Sequence, residues 1–261
     1  MISDQLKAEF VKDLIKKNQR PDGRDFLQHR SIRIEKNVFE NCEGSAICHL
    51  GDTKVLAGVK IDLATPYPDR PNEGMLSVGC EFSPIAHSTF QAGPPDERSI
   101  ELARVVDRGI RAANAIDLTK LVVAPGKVLG IFIDLYILDY NGNLTDAASL
   151  AAMSAVKNAV VPKLETISEG QYKLNHEIRS GHLPRGEDVV TCTFEKINGS
   201  IILDATFDEE KASSGRMTFG ATTDGLICSA QKSGSAGFSI AELDSLLDTT
   251  LEKRKELLKL L

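Results

Sequence analysis

Apolar residues recur along this chain at two spacings, first every second position and then every third or fourth, and the switch between them happens twice. Residues 31–38 alternate in polarity. Residues 44–50 and 54–62 carry Val, Ile, Leu and Ala on either side of Gly51-Asp52-Thr53, the pattern of a hairpin. A loop with Pro66, Pro68 and Pro71 fills 65–74, and 75–82 reads as another strand. Pro94-Pro95 breaks the pattern before a helix from about 97 to 114, where Ile100, Ala103, Val106 and Ile110 recur at helical spacing. Residues 128–139 form an apolar strand closed by a turn at Asn141-Gly142. The Ala-rich segment that follows, running to 160 with Thr145 or Asp146 as its cap, is apolar over most of its surface and predicts a central, buried helix.

The second half repeats the order more loosely. Residues 165–187 are polar and irregular and read as a connector. Residues 189–197 and 200–207 flank Asn198-Gly199, the strongest short-range hairpin signal in the chain. Strands follow at 216–221 and 225–232. A terminal helix begins at Ile240, with Ser239 and Glu242 at the spacing of a capping box and Leu243, Leu247, Leu251, Leu257 and Leu258 on its apolar face. The pattern predicts an α+β fold of strands packed with helices: one domain over 1–261, with two similar halves at about 20–163 and 187–261.

Composition narrows the setting. The values are ordinary for a globular protein, with 42% apolar and 26% charged residues, and no run approaches the ~20 apolar residues of a membrane span. Residues 1–17 mix acids and lysines with Phe10, Val11, Leu14 and Ile15, which predicts an amphipathic helix rather than a secretion signal. The five cysteines are odd in number and lack tight pairs, which argues against a disulfide framework or a zinc site. Four of them (Cys48, Cys80, Cys192 and Cys228) fall in strands, where a thiol behaves as a small hydrophobe, and a reducing cytoplasm is the expected home. The net charge of −6 excludes indiscriminate coating of nucleic acid, so any RNA contact needs a local basic patch.

Most familiar signatures of chemistry are absent from the sequence. There is no phosphate-binding Gly-x-x-x-x-Gly-Lys-Ser/Thr loop and no Gly-x-Gly-x-x-Gly. His176 and His182 lack partners at metal-ligand spacing, and Ser235-Ala236-Gly237 reads as a flexible turn. Two features remain. Asp204, Asp208, Glu209 and Glu210 form an acidic run that either holds a divalent cation or lies in a solvated loop beside Lys211. Arg104, Arg108 and Arg111 lie along one helix face, suited to phosphates through paired guanidinium donors. The alternative is a surface stripe paired within the helix, Glu101 with Arg104 and Asp107 with Arg111.

An ordered set of segments adds to this. Arg20-Pro21-Asp22-Gly23-Arg24, Gly44-Ser45-Ala46 and residues 51–58 resemble the opening of the RNase PH superfamily. Gly93-Pro94-Pro95-Asp96-Glu97 leading into residues 100–108, with 138–143 and 227–234, resembles one branch of it, the non-catalytic RNase PH-like subunits of archaeal exosomes. The similarity runs from about Arg20 to the final helix.

The resemblance implies an RNase PH-like fold of mixed sheets packed with helices and a ring of three heterodimers with a catalytic sister subunit. It also implies RNA-binding cap proteins and a role in phosphorolytic 3′-to-5′ RNA degradation without a cofactor of this chain's own. Active members of the superfamily carry a phosphate-binding Gly-Gly-Thr-Arg turn. The matching stretch here is Gly142-Asn143-Leu144-Thr145 followed by Asp146, which lacks the arginine. They also carry two metal-binding aspartates about six residues apart, where this chain has Glu210 and Arg216. Both departures imply a silent site, against the alternative of an active phosphate-dependent exoribonuclease. Arg104 and Arg108 match positions that grip RNA, Arg111 shares their face, and Arg70 is a further candidate for the ring opening.

Overall fold

The computed structural model describes residues 2–168 and 170–261. Met1 and Glu169, which the sequence reading places in the first helix and in the connector, lie outside them. The first sheet holds β1 (Ile32–Lys36), β2 (Gly44–Leu50), β3 (Thr53–Ala64), β6 (Lys127–Asp139) and β4 (Met75–Phe82) in that spatial order, with β5 (Val122–Ala124) pairing to β6. Leu50 pairs with Thr53, so the β2–β3 hairpin turns on two residues, and Gly51 takes the left-handed conformation that the turn needs (φ 57°). β4 runs parallel to β6. Parallel neighbours need a crossover, and α2 (Glu97–Ala112) supplies it.

Strand alternation decides which face is core. Val55, Ala57, Val59 and Ile61 of β3 and Ile131, Ile133, Leu135 and Ile137 of β6 are almost fully buried. Helix α3 (Leu144–Asn158) packs against β2 and β3, and every residue from Thr145 to Val156 is buried, as its apolar circumference predicts. The approach is close: a Cβ on Gly44 would sit 2.3 Å from the Ala155 carbonyl oxygen.

The second sheet is antiparallel, in the order β10 (Ser200–Leu203), β9 (Val189–Ile197), β11 (Gly215–Thr222), β12 (Ile227–Gly234). β9 touches both α3 and α5 (Ile240–Leu257), so nearly all of it is buried in both parities. The capping box of α5 forms: Glu242 N–H donates to Ser239 Oγ, and Ser239 N–H donates to Glu242 Oε2 at 2.6 Å. Its fully buried positions are Leu246, Thr250 and Leu257, and of the other leucines expected Leu243, Leu247 and Leu258 pack half-buried against the same core. α1 (Ile2–Lys16) buries Val11 and Ile15 in a separate cluster with Ile197, Ile202, Ala205 and Ala212. It therefore belongs to the second sheet, where it packs on the short helix α4 (Phe207–Ala212).

Four expectations are corrected. The connector is a two-stranded hairpin, β7 (Val160–Ser168) and β8 (Gln171–His182). It buries only Pro162 and Leu174 among its described residues, so neither face carries the apolar alternation that marks a strand. Helix α3 is capped by Asn143 rather than Thr145 or Asp146: Asn143 is in the left-handed conformation (φ 52°) that asparagine tolerates, and its side chain accepts from Asp146 N–H. The strand expected to reach 207 ends at Leu203 and gives way to α4, whose Thr206-x-x-Glu209 start places the Thr206 amide 2.8 Å from Glu209 Oε2. Ile100 is 48% exposed, because the buried stripe of α2 runs through Ser99, Leu102, Ala103, Val106, Gly109 and Ile110. All five cysteines are free, and burial pushes the Cys48 and Cys80 thiols up to about 12, which keeps them inert.

Candidate functional site

Helix α2 lies against β4, and Asp96, its N-cap, accepts from Ser99 N–H at 2.9 Å. With Leu102, Val106 and Ile110 turned inward, Arg104, Arg108 and Arg111 face solvent. Together with Arg70 and Asp107 they line an open cleft of about 430 Å³. Four guanidinium groups against one carboxylate make a local basic patch on an acidic chain.

The three helical arginines are not equivalent. Arg111 donates to Asp107 at 2.8 Å and to the Leu76 carbonyl at 2.5 Å, which fixes it to the sheet. Arg108 donates one N–H to Gln231 Oε1 at 2.9 Å, which orients it from β12 and leaves its other donors outward. Arg104 makes no hydrogen bond or ion pair among the described residues, so the Glu101–Arg104 pair weighed from the sequence does not form and the Asp107–Arg111 pair does. Arg70 pairs only loosely with Glu73, at 3.5 Å and in the open. The free donors therefore concentrate at Arg104 and Arg108.

The acidic run lies about the α4 end of the second sheet, and each of its carboxylates meets a cation. Glu209 holds Arg20 through two contacts of 2.7 and 2.9 Å, with both side chains fully buried. Arg20 also donates to the carbonyls of Leu203 and Asp204 at 2.9 Å. Asp204 takes Arg30 at 2.7 Å and Arg24 at 3.1 Å. Asp208 faces Lys7 at 3.5 Å on the surface.

Glu210 completes the set. It accepts from Tyr140 Oη at 2.5 Å, from Asn143 N–H at 2.9 Å and from Arg216 at 2.6 Å. Arg216 reaches past it to Glu195, so one guanidinium bridges two carboxylates. Burial disfavours the Arg216 cation, but Glu210 and Glu195 outweigh it and hold the charge in place. A divalent cation needs carboxylate oxygens free of competing donors. The residues here do not fit one, and no group of three metal-ligating side chains occurs among the described residues.

The neighbouring turn is equally closed to an anion. Asp146 is fully buried, and burial raises its pKa. It accepts from Asn143 Nδ2 at 2.8 Å, from the hydroxyls of Thr191 and Thr193 at 2.8 Å, and from Thr193 N–H at 3.0 Å. Asn143 Nδ2 also bonds Asp204 at 2.8 Å. The amide and side-chain donors of Asn143, at the head of α3, are spent on carboxylates of the chain itself.

Asp204 supplies a pH signature. Burial alone would raise it, but hydrogen bonds from Arg30 and the charge of that guanidinium win and hold it at about 2. A depressed carboxylate contributes stability above its ordinary value of ~3.9, and that contribution is lost as pH falls toward 2. The urea midpoint is expected to hold steady from neutrality to about pH 5 and to fall between about 4 and 2. Asp204→Asn should be less stable at neutral pH and should shed part of that acid-limb slope, read by urea titration at each pH.

Sequence reasoning singled out Arg104, Arg108, Arg111 and Arg70, and the fold brings all four to one cleft. It did not find Arg20, Arg24, Arg30, Tyr140 or Glu195, whose partners lie tens to almost two hundred positions away.

Residues 28–162 match the model of the 3′ exoribonuclease family, domain 1, and residues 189–253 match that of domain 2. The exosome complex component Rrp42 of Thermococcus gammatolerans is 43% identical over 258 residues, covering 98% of this chain and 94% of that protein. Its counterpart from Pyrococcus furiosus is 40% identical over 267 residues, covering 100% and 96%. Among solved structures, a chain of the Archaeoglobus fulgidus exosome with RNA bound to the active site superposes with a TM-score of 0.88 at 38% identity, covering 99% of each chain. A chain of an archaeal exosome core gives 0.85 at 37%, covering 99% and 98%.

Proposed function

This chain belongs to the 3′ exoribonuclease family of RNase PH domains, and on that premise we propose that it is the non-catalytic member of an exosome ring. It alternates there with a catalytic RNase PH-like sister, beneath RNA-binding cap proteins. Its task is structural and positional: it completes the sister's site and grips RNA through Arg104 and Arg108, with Arg111 and Arg70 beside them. The two halves of the chain act as one RNase PH-like domain. No part of the reading places it in a membrane, and no described helix is long and apolar enough to cross one.

The observation that carries the silent site is Arg216 held between Glu195 and Glu210. In catalytic members that neighbourhood serves a divalent cation. Here a permanent guanidinium takes the carboxylates, and a second cation would meet its repulsion. At the head of α3, Asp146 stands where an incoming phosphate would need positive donors. The observation that supports RNA contact is the unpaired Arg104 beside the half-used Arg108.

The test is RNA degradation by the purified chain with Mg²⁺ and inorganic phosphate, alone and after assembly with the sister. Nucleoside diphosphates are expected only when the sister is present, and faster from the assembly than from the sister alone. Release by the chain alone would overturn the reading and direct the search for an active site to Asp208, Glu209 and Glu210.

A further inference from the structure

A cavity of about 120 Å³ lies between the Arg98, Glu101, Leu102 and Val105 side of α2 and the Glu210–Arg216 pair. One side is apolar, built from Phe82, Phe90, Leu102, Val105 and Leu144. The rings of Phe82 and Phe90 lie 4.6 Å apart, Tyr140 stacks on Phe90 at 5.4 Å, and the Arg98 guanidinium covers both phenylalanines at 5.6 and 5.3 Å. The wall thus offers flat aromatic and guanidinium surface of the kind that unstacked bases favour.

The polar side decides the charge of the occupant. Arg216 is balanced by Glu195 and Glu210, and Arg98 is taken by Asp96 at 2.8 and 3.0 Å. No spare positive charge faces the cavity, so an anion gains nothing by entering. Among the described residues that line it, the one unused charged group is the exposed Glu101 carboxylate, which repels an anion further and can accept from a base N–H; the other unused groups are neutral. The hydroxyls of Thr145 and Ser233 make no hydrogen bond among the described residues, and Gln231 has its oxygen tied to Arg108 and its amide hydrogens free. The volume is well below the ~300 Å³ at which pockets begin to hold whole drug-sized ligands, so it suits one ring system rather than a nucleotide.

We propose that this cavity holds a single uncharged nucleobase, turned out of an RNA strand whose phosphates lie on Arg104 and Arg108. The link is Gln231, which touches Arg108 and lines the cavity. The placement of the strand rests on the function proposed above, whereas base binding by the cavity does not.

The experiment is ligand-observed NMR on the purified full chain with adenosine, uridine and inorganic phosphate as probes, alongside fluorescence of an RNA oligomer carrying 2-aminopurine. Saturable nucleoside binding is expected, with no competition from phosphate. Val105→Trp fills the cavity and should weaken nucleosides by about 10-fold or more, the scale of one stacked base. Gln231→Met gives a second, milder loss should the tryptophan variant unfold. Arg104→Glu should leave nucleoside affinity unchanged while reducing RNA affinity. Quenching of 2-aminopurine that disappears in Val105→Trp places an RNA base in the cavity, and unchanged quenching excludes it. Native chain that binds neither nucleoside, variants that bind them equally well, or displacement by phosphate would overturn the proposal. Normal nucleoside binding with RNA affinity indifferent to Arg104→Glu would support the cavity and remove the strand's placement on the arginines.

Discussion

Replacing Arg104 and Arg108 together by glutamate is expected to weaken RNA binding by the assembled ring by about 100-fold at low salt. The magnitude follows from elementary electrostatics. A unit charge about 4 Å from a phosphate contributes roughly 1 kcal/mol in water, and two reversals change four unit charges, part of which salt screens. About 3 kcal/mol remains, or two decades of affinity. The salt dependence is expected to change too: losing two phosphate contacts on a single strand flattens the log–log slope by about 1.4. Arg111→Ala should do far less, because its donors are engaged by Asp107 and the Leu76 carbonyl. Filter binding over a salt series separates these outcomes. Unchanged affinity in the double variant would make the chain a scaffold without RNA contact.

The largest stability effect is expected at Arg20. Its guanidinium is wholly buried and makes two bonds to Glu209 and two short ones to the carbonyls of Leu203 and Asp204. Arg20→Ala strands the Glu209 carboxylate in the interior, and breaking such a pair from one side costs about 3–5 kcal/mol. In a chain of this size that lowers the thermal midpoint by roughly 6–10 °C. The double variant Arg20→Met with Glu209→Gln is expected to recover much of the loss. The penalty comes from an unpaired charge more than from the absent attraction, and the oxygen of the introduced side-chain amide can still accept from the Thr206 N–H. Thermal unfolding of the two variants side by side measures this. Equal midpoints would mean that Glu209 finds another donor.

What was legible in the sequence tracks how each element is stabilised. The hairpins at Gly51-Asp52 and Asn198-Gly199 announce themselves because turn chemistry is local. The buried helix α3 is visible because burial on all sides leaves no polar face to write. The β7–β8 hairpin is hidden because a pair of strands that covers little core needs no alternation. Helix α4 was missed for a different reason: Thr206 and Glu209 carry a start signal, but six residues are too few to show a period. At the candidate site, the arginine row is legible because positions four apart on a helix share a face. The engagement of Arg216 by Glu195, or of Asp204 by Arg30, exists only once distant strands meet.

The dependence of α1 and Arg20 on the second sheet also sets an order of events during synthesis. Val11, Ile15 and Arg20 emerge from the ribosome long before their partners Ile197, Ile202, Leu203 and Glu209. At about 5–20 residues per second, some 180 residues of intervening chain take roughly ten to forty seconds to make. For that interval the first sheet can assemble around α3 while the leading segment, with a charge destined for a dry interior, stays in water. The second sheet is then closed by a segment made long before it, and that closure waits until the residues from Val189 to Ala212 have been made.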